Sequence, residues 1–332
     1  MRAARIRPAM AWSSVPRVYE ARLLRRKNVV GVGIARKVVG GRQTNEPCVV
    51  VFVERKVPKP NLDRKDLIPD RIETMKTDVV ETGRIVALQS RTVKTDAVET
   101  GRIVALQSRT GRIRPAPGGV SIGHFRITAG TLGAVVRRGG TRVILSNNHV
   151  LANSNDGRRG DAILQPGPVD GGTSADQIAT LEDFVRISFD GFLDLLLGLF
   201  GIVRPPRNVV DAAVARPLRD SDVSDEILGI GPVSGMAPAT IDMAVRKSGR
   251  TTGLTQGRVT AIAATVRVSY GLTRTARFRD QIVATALSQG GDSRSLVVDV
   301  SNRAVGLLFA GSSNTTILNP IPQVASQLGL QF

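Results

Sequence analysis

Short runs of apolar residues separated by tight-turn signals dominate the chain. Asn28–Val39 and Pro47–Val53 are rich in valine and predict two strands joined by a turn at Gly40-Gly41. Residues 15–27, just before them, have apolar positions compatible with a short helix. The first part of the chain is therefore predicted to be a small α/β unit. Gly31-Val32-Gly33 lacks the third glycine and the following helix of a nucleotide-binding turn.

An internal repeat follows this unit. Residues 76–93 and 94–111 agree at sixteen of 18 aligned positions, which indicates a tandem duplication. Two copies do not make a solenoid, because a solenoid needs at least three stacked units. Each copy carries one strand-like segment, ETGRIVALQ. We expect one copy to pair in the native sheet, while the other is extra or adds a strand.

Beyond a boundary rich in proline and glycine at residues 112–119, short strands with tight turns are typical of an all-β fold. Gly130–Val136 and Val143–Ser146 predict a hairpin that carries His149 at its far end. Val209–Ala215 predicts a strand headed by Asp211.

A second set of strands is predicted after a polar link at residues 216–240. The chain is then expected to close on a short helix within Pro320–Leu330. We divide the 332 residues into an N-terminal extension (1–111), a first β unit (112–225) and a second β unit (226–332). The predicted strands of the second unit lie within Val259–Val268, Gln281–Ala286, Leu296–Asp299 and Ala304–Phe309.

Composition limits the chemistry. The hydrophobic fraction of 42% supports a real core, and the single cysteine, Cys48, rules out an internal disulfide. Two histidines and one cysteine make a zinc site of the Cys/His type implausible, so we predict neither metal nor cofactor. The absence of disulfides favours a reducing compartment or a bacterial protein that does without them.

The charge is strongly positive. Lys and Arg number 46 against 28 Asp and Glu, a net charge of +18, and residues 1–27 hold eight of the cations. A basic arm suits an anionic partner, either nucleic acid or a membrane surface, and a soluble basic surface is the plainer interpretation. No base-reading motif is present and aromatic residues are only 4%, so no specific nucleic acid is predicted.

Neither a signal peptide nor a membrane span is convincing in this sequence. Met10–Val15 is too short for the apolar part of a signal peptide. Phe192–Val203 is very apolar, but it is shorter than the roughly 20 residues that cross a bilayer and contains Asp194. We therefore predict a soluble, cytoplasmic protein, in which Phe192–Val203 is a surface excursion between the His149 hairpin and the Asp211 strand, near the cleft between the two β units.

With only two histidines, a base that works near neutral pH must be His124 or His149. His149 lies in Leu145-Ser-Asn-Asn-His-Val-Leu151, Asp211 in DAAVA, and Ser293 in GGDSRSLVV. Taken singly, these are also compatible with a core histidine, a turn or cap aspartate and a turn serine. His124 lies in a strand pattern and is interpreted as structural.

Together, SNNHVL, DAAVA, KSGRTTGLTQGRV, GGDSRSLVV and AVGLLFAGSS follow the order found in chymotrypsin-like serine proteases. Residues 118–332 resemble that family, including its trypsin-like bacterial forms, and residues up to 111 resemble an N-terminal extension of some of them. The resemblance implies two packed six-stranded antiparallel β-barrels with the active site in the cleft between them. It implies a protein or peptide substrate.

The resemblance also implies functions for individual residues. His149 matches the general base, Asp211 the residue that orients it, and Ser293 the nucleophile. The backbone N–H groups of Gly291 and Ser293 match the oxyanion hole. The substrate pocket is expected to involve Leu287, Ser288, Gln289, Ala310, Gly311 and Ser312. No acidic residue stands at 287–289, so a small or apolar side chain is expected before the scissile bond.

One residue departs from the family pattern. Arg294 follows the nucleophile, where the family has glycine. A side chain there restricts close packing, and its cation disfavours the protonated histidine that forms during attack. The two functions left open are a serine endopeptidase and a pseudoprotease that acts as a binding or scaffold module.

Overall fold

The computed structural model describes residues 17–88, 108–191, 208–271 and 273–332. Phe192–Val203, the start of the basic arm and most of the second repeat copy lie outside these residues. Within the described ranges, no helix is both long and apolar enough to cross a membrane.

The N-terminal extension contains one helix and a small sheet. Gly40 and Gly41, at φ 58° and 78°, form the predicted hairpin turn, because two successive residues with positive φ match the twist of the flanking strands. The elements are α1 (Arg17–Leu24), β1 (Val29–Val39), β2 (Arg42–Val53), β3 (Arg71–Ile72), β4 (Met75–Glu81) and β5 (Val86–Ala87). Two 3₁₀ turns lie at Lys59–Asn61 and Arg64–Asp66.

The first β unit forms a barrel. The strands are β6 (Ala116–Gly118), β7 (Ser121–His124), β8 (Gly130–Thr131), β9 (Ala134–Arg138), β10 (Thr141–Ser146), β11 (Ala162–Leu164), β12 (Gln177–Phe184) and β13 (Ala213–Pro217). Its main sheet has the order β9-β10-β13-β12-β11-β7-β8. The predicted hairpin is present as β9 and β10, and the short helix α2 (Asn148–Leu151) follows it directly.

A link with two strands and one 3₁₀ turn leads to the second β unit. The turn is Asp220–Asp222, and the strands are β14 (Val223–Ile227), which pairs in parallel with β6, and β15 (Gly231–Pro232). Three further 3₁₀ turns in the first unit are Asn153–Asn155, Pro168–Asp170 and Ser174–Asp176.

The second barrel is closed and antiparallel. Its six strands run in the order β16-β19-β20-β21-β18-β17, and β17 pairs back onto β16. The strands are β16 (Ala244–Gly249), β17 (Gly253–Tyr270), β18 (Arg274–Thr285), β19 (Leu296–Asp299), β20 (Ala304–Gly311) and β21 (Thr315–Pro320). Helix α3 (Ile321–Leu328) follows, and β22 (Leu330–Gln331) then returns to pair with β9 of the first unit. The predicted pair of barrels, preceded by a small α/β unit, is confirmed.

The extension continues the sheet of the second barrel. β1 pairs with β17 through Gly31 opposite Val266 and Ile34 opposite Ile262. Glycine is favoured at positions 31 and 33 because a Cβ there would crowd the facing strand β17. It would lie 2.9 Å from Thr265 O at Gly31 and 3.0 Å from Ala264 Cβ at Gly33. One apolar cluster contains both Val32 of the extension and Val259 of the barrel. Packing therefore joins the extension to the barrel that carries Ser293.

Candidate active site

His149 and Asp211 form a buried pair in the first barrel. His149 lies on α2, directly after β10, and its Nδ1 is 2.6 Å from Asp211 Oδ2. The backbone N–H of His149 donates to Asp211 Oδ1 at 3.2 Å. Both side chains are fully buried. Because Nδ1 faces a carboxylate, the proton of the neutral imidazole belongs on Nδ1, and Nε2 is left as the acceptor.

Asp211 is held by groups from three other elements. The Tyr270 hydroxyl, at the end of β17, donates to Asp211 Oδ2 at 2.8 Å. Asn319 Oδ1 accepts the Asp211 backbone N–H at 2.9 Å, and Asn147 Nδ2 donates to its backbone carbonyl at 2.5 Å. The prediction that Asp211 heads a strand is wrong by two residues, because β13 begins at Ala213. Side-chain partners replace the sheet hydrogen bonds of Asp211, so its carboxylate is free to face His149.

The electrostatics of this pair favour a neutral base. Burial lowers the pKa of His149, against the opposing attraction of Asp211, and the Arg294 cation lowers it further. Burial alone raises the pKa of Asp211, but His149 and the Tyr270 hydroxyl outweigh it, so the net shift is downward. Burial, followed by the Asp211 charge, raises the pKa of Tyr270 well above its ordinary value. Asp211 is therefore an anion, and His149 is neutral near pH 7.

Ser293 lies in a tight turn between β18 and β19. The Asp292 N–H donates to Gln289 O at 3.0 Å, and Gly291 has φ 97°, a conformation that favours glycine. A Cβ at Gly291 would also collide with Thr251 Oγ1. Thr131 Oγ1 donates to the Gly291 carbonyl at 3.0 Å. These contacts fix the peptide groups around residues 291–293.

The turn is anchored by a buried ion pair. Lys247 Nζ lies 3.1 Å from Asp292 Oδ2, and both side chains are fully buried. Asp292 also accepts the backbone N–H groups of Thr251 at 2.9 Å and Thr252 at 3.0 Å. Burial lowers the pKa of Lys247, while Asp292 opposes the shift. Asp292 therefore connects the Ser293 turn to the start of β17.

The third contact of a His-Asp-Ser triad is not made in this structure. Ser293 Oγ donates instead to the backbone carbonyl of Leu88 at 2.7 Å, with Phe309 O at 3.4 Å. His149 Nε2 is buried and has no hydrogen-bond partner in the part of the chain that the structure describes. The His–Asp pair is thus assembled, whereas the serine hydroxyl is engaged by the N-terminal extension.

Arg294 keeps the backbone conformation of a glycine. Its φ is 88°, in the left-handed region, and its side chain is fully buried. All three guanidinium nitrogens are buried without a hydrogen-bond partner among the described residues. The guanidinium lies against Gly130, where an added Cβ would coincide with it. Burial lowers the pKa of Arg294 well below its ordinary value, against the attraction of Asp211.

Three of the predicted pocket residues, Ser288, Ala310 and Gly311, lie beside β5 and Leu88. Ala310 and Gly311 of β20 pair with Ala87 and Val86 of β5. A Cβ on Gly311 would lie 3.4 Å from Leu88 Cδ1 and 3.6 Å from Ser288 Oγ.

The other predicted pocket residues lie in or beside the turns that follow β18 and β20. Leu287 is buried in the same apolar cluster as Leu88. Gln289 N donates to Asp292 Oδ2 at 3.1 Å, and Ser312 N donates to Thr315 O at 2.8 Å. Gln289 thus belongs to the anchored turn, while Ser312 belongs to the turn between β20 and β21.

The second histidine is paired elsewhere. His124 is buried, and its Nε2 lies 3.0 Å from Asp161 Oδ2, while its Nδ1 accepts the N–H of Arg126 at 3.1 Å. Burial lowers the pKa of His124, and the hydrogen bond that its Nε2–H donates to Asp161 opposes this shift. Both ring nitrogens are therefore occupied, as expected for a structural histidine.

Sequence reasoning missed three residues of this site. Tyr270 ends a long apolar strand, and nothing nearby in sequence relates it to Asp211. Lys247 stands at a buried alternate position of a predicted strand, which was a usable signal because an unpaired lysine is rarely buried. Leu88 belongs to the strand-like segment of the repeat, but its pairing partner lies more than two hundred residues away.

Comparison with known proteins gives two results. Residues 15–81 match the family described as NARROW LEAF 1 N-terminal domain. The chain is also similar to solved bacterial serine proteases of the chymotrypsin-like class. A glutamic acid-specific serine protease described as using a histidine triad in substrate binding is 22% identical, with a TM-score of 0.46; the alignment covers 65% of this chain and 99% of that one.

Two further structures show the same degree of likeness. Protease A of Thermobifida fusca is 20% identical with a TM-score of 0.45, over 65% of this chain and 96% of its own. An α-lytic protease homologue, N4, is 23% identical with a TM-score of 0.45, over 65% of this chain and 98% of its own. At these identities the likeness concerns the fold alone.

Proposed function

We propose that this chain is a serine-type endopeptidase that hydrolyses peptide bonds through an acyl-enzyme. The observation that carries the proposal is the buried His149–Asp211 pair, whose remaining ring nitrogen has no partner among the described residues. A buried nitrogen without a hydrogen-bond partner costs free energy, and a catalytic role is one explanation for keeping it. Ser293 is the proposed nucleophile because it lies in a turn held by Lys247 and Asp292.

The proposed reaction begins when the Ser293 hydroxyl turns from Leu88 O to His149 Nε2. Oγ then attacks the carbonyl carbon of the substrate while Nε2 takes the hydroxyl proton, and Asp211 stabilises the imidazolium. The C–N bond breaks as His149 returns the proton to the leaving amine. A water molecule, deprotonated by the same nitrogen, hydrolyses the ester and restores Ser293.

The N–H groups of Gly291 and Ser293 are the proposed oxyanion hole. The positive φ of Gly291 and the hydrogen bond from Thr131 Oγ1 to its carbonyl support this assignment, since together they hold the peptide orientation before substrate arrives. Leu287, Ser288, Gln289, Ala310, Gly311 and Ser312 are the proposed substrate pocket.

A second function, that of a pseudoprotease binding module, is favoured by Arg294. Its buried guanidinium has no partner among the described residues, and its charge lowers the pKa of His149. A cation near the imidazole opposes the positive charge that develops when serine attacks. The two functions share the peptide-binding cleft and differ in whether Ser293 reacts.

Labelling with a fluorophosphonate probe distinguishes the two functions. We expect the probe to attach to the peptide that contains Ser293, and Ser293→Ala to lower the rate by on the order of 10⁴-fold or more. The matched control is Ser295→Ala, because that hydroxyl only donates to Asp292 O, at 2.8 Å. Equal labelling of wild type and Ser293→Ala excludes this nucleophile. A folded wild type that never reacts supports the pseudoprotease.

A further inference from the structure

The β5 segment occupies an edge of β20 that the barrel itself leaves open. β19 pairs with β20 only as far as Leu307, so the edge at Ala310 and Gly311 has no barrel partner on that side. β5 fills it in antiparallel register, with Ala87 opposite Ala310 and Val86 opposite Gly311. An extended peptide that adds to a free sheet edge gains main-chain hydrogen bonds, while its alternate side chains enter pockets.

The register of this segment is that of a substrate at the proposed nucleophile. Leu88 N donates to Phe309 O at 3.3 Å, and Leu88 O accepts the Ser293 hydroxyl at 2.7 Å. A peptidase of this kind attacks the carbonyl of the residue just before the scissile bond. Leu88 is therefore in the position of that residue, and Val86 and Ala87 are in the positions that precede it.

The Leu88 side chain has the chemistry expected for the pocket. It is 7% exposed and packs in one apolar cluster with Leu287, beside Gly311 and Ser288. No charged side chain is needed to hold it. Leu88 and the more deeply buried Ile85, which is 1% exposed, are therefore apolar anchors of the segment.

The approach to the cleft is also fixed. The Ile85 carbonyl accepts the N–H of Ser269 at 3.1 Å, and Arg84 Nε donates to Ser269 Oγ at 3.1 Å. Val86 also pairs with Ser269 at the end of β17. The segment is thus held by β17 on one side and β20 on the other, and its upstream end is covalently joined to β4.

We propose that Val86-Ala87-Leu88 is a tethered occupant of the peptide-binding cleft. It identifies the cleft's ligand class as an extended peptide with an aliphatic residue, leucine in this chain, just before the reacting carbonyl. By occupying β20 and Ser293 together, the segment keeps other peptides out. The inference rests on the cleft's being the peptide site proposed above, but not on Ser293 being reactive.

The competition is measurable because the occupant is intramolecular. A tethered ligand has an effective concentration in the millimolar range, so a free peptide at micromolar concentration does not displace it. The probe is a fluorescent peptide amide with the sequence Arg-Ile-Val-Ala-Leu-Gln of residues 84–89. Fluorescence anisotropy reports its dissociation constant.

The proteins to compare both carry Ser293→Ala, which excludes turnover, and Leu106→Asp, which disables the identical leucine of the second repeat copy. One of them also carries Leu88→Asp, or the milder Leu88→Ala if the aspartate variant is poorly folded. We expect the added Leu88 change to tighten peptide binding at least tenfold, because the tethered competitor is weakened. A peptide with Asp in place of its Leu should not bind.

A control variant and a second readout separate this inference from the proposed function. Val39→Asp, on the same extension and 61% exposed, should leave peptide binding unchanged. Equal dissociation constants with and without the Leu88 change overturn the tethered-occupant inference, whatever the labelling result. Tighter binding in the Leu88 variant, together with a wild-type protein that never reacts with a fluorophosphonate, supports the inference and contradicts only the endopeptidase proposal.

Discussion

Two buried cations, Lys247 and Arg294, lie beside Ser293, and only the lysine has an ion-pair partner among the described residues. Lys247 is fully buried, and its ammonium contacts Asp292, the Thr252 hydroxyl and the Gly253 carbonyl at 3.2 Å. Arg294 is equally buried, but its guanidinium has no hydrogen-bond partner among the described residues and its backbone has a positive φ. A buried charge is tolerated when it is paired and is expensive when it is not.

The paired lysine stabilises the Ser293 turn, whereas the unpaired arginine destabilises it. The ion pair between Lys247 and Asp292 anchors the turn from inside, because Asp292 is one of its residues. Arg294 instead adds backbone strain to the turn and a positive charge that lowers the pKa of His149. The fold therefore holds Ser293 in place despite the residue that follows it. Substitutions that remove each cation, and a measurement of the pKa of His149, test this difference.

Removing the paired cation has the largest expected effect. Lys247→Met leaves the buried Asp292 carboxylate without its counter-ion, and the loss of one partner from a buried pair costs about 3–5 kcal/mol. We expect a loss of about 3 kcal/mol in the free energy of unfolding, because backbone N–H groups still bind Asp292. Urea denaturation measures it.

The matched control for Lys247 is an exposed pair. Lys59 and Asp70 are 74% and 87% exposed, and such pairs contribute less than about 1 kcal/mol. Lys59→Met should therefore leave the unfolding midpoint nearly unchanged. If Lys247→Met were equally harmless, the buried pair would not be what anchors the turn.

Removing the unpaired cation, Arg294, is expected to raise the free energy of unfolding. Arg294→Gly relieves a left-handed backbone strain of roughly 1–3 kcal/mol and removes a guanidinium that lacks a partner. The lost packing of the arginine stem opposes this gain. We expect stability to rise by about 1 kcal/mol. We also expect fluorophosphonate labelling of Ser293 to accelerate by roughly 10- to 100-fold, because small displacements of reacting groups have effects of that size.

The comparison should be made at equal folded fraction, with Arg250→Gln as the control. Arg250 is another cation near Arg294, but it is paired with Asp170. Labelling of wild type that is already as fast as that of Arg294→Gly would mean that the turn accommodates the arginine without loss.

The smallest effect is a change in the protonation of His149. Since the Arg294 charge lowers the pKa of His149, Arg294→Gly should raise it. In wild type, the imidazole becomes protonated only below its usual pKa of 6.5, so labelling should persist in mildly acidic solution. In the glycine variant the acidic limb of the labelling rate should lie at a higher pH.

Imidazole NMR titration measures the same shift without a reaction. His124 is the internal reference, since its pKa is lowered by burial and influenced by Asp161 and Arg126, not by Arg294. If the pKa of His149 is the same in Arg294→Gly as in wild type, the Arg294 charge does not weaken His149 as a base.

Much of the fold was accessible from local pattern. The hairpins at Gly40-Gly41 and Gly139-Gly140 follow from pairs of glycines with positive φ between valine-rich runs. The short closing helix and the order of His149, Asp211 and Ser293 were also readable. These features depend on neighbours in sequence, so a single sequence carries them.

The start of β13 was less accessible. The sequence predicted a strand within Val209–Ala215 headed by Asp211, but the Asp211 backbone N–H donates to the Asn319 side chain at 2.9 Å, and the strand begins only at Ala213. A hydrogen bond between residues so far apart in sequence leaves no local pattern. The same is true of the Tyr270 hydroxyl on Asp211.

The sequence by itself determined the His149 hairpin, most strands of the second barrel, the three candidate catalytic residues and the substitution at Arg294, because each depends on local pattern or motif. Only the tertiary structure decided that β1 extends the second barrel, that Lys247 neutralises Asp292, and that Leu88 contacts Ser293. These three facts are long-range pairings. The free energy of such a contact depends on both of the segments that meet, so the local sequence of one segment does not predict the contact.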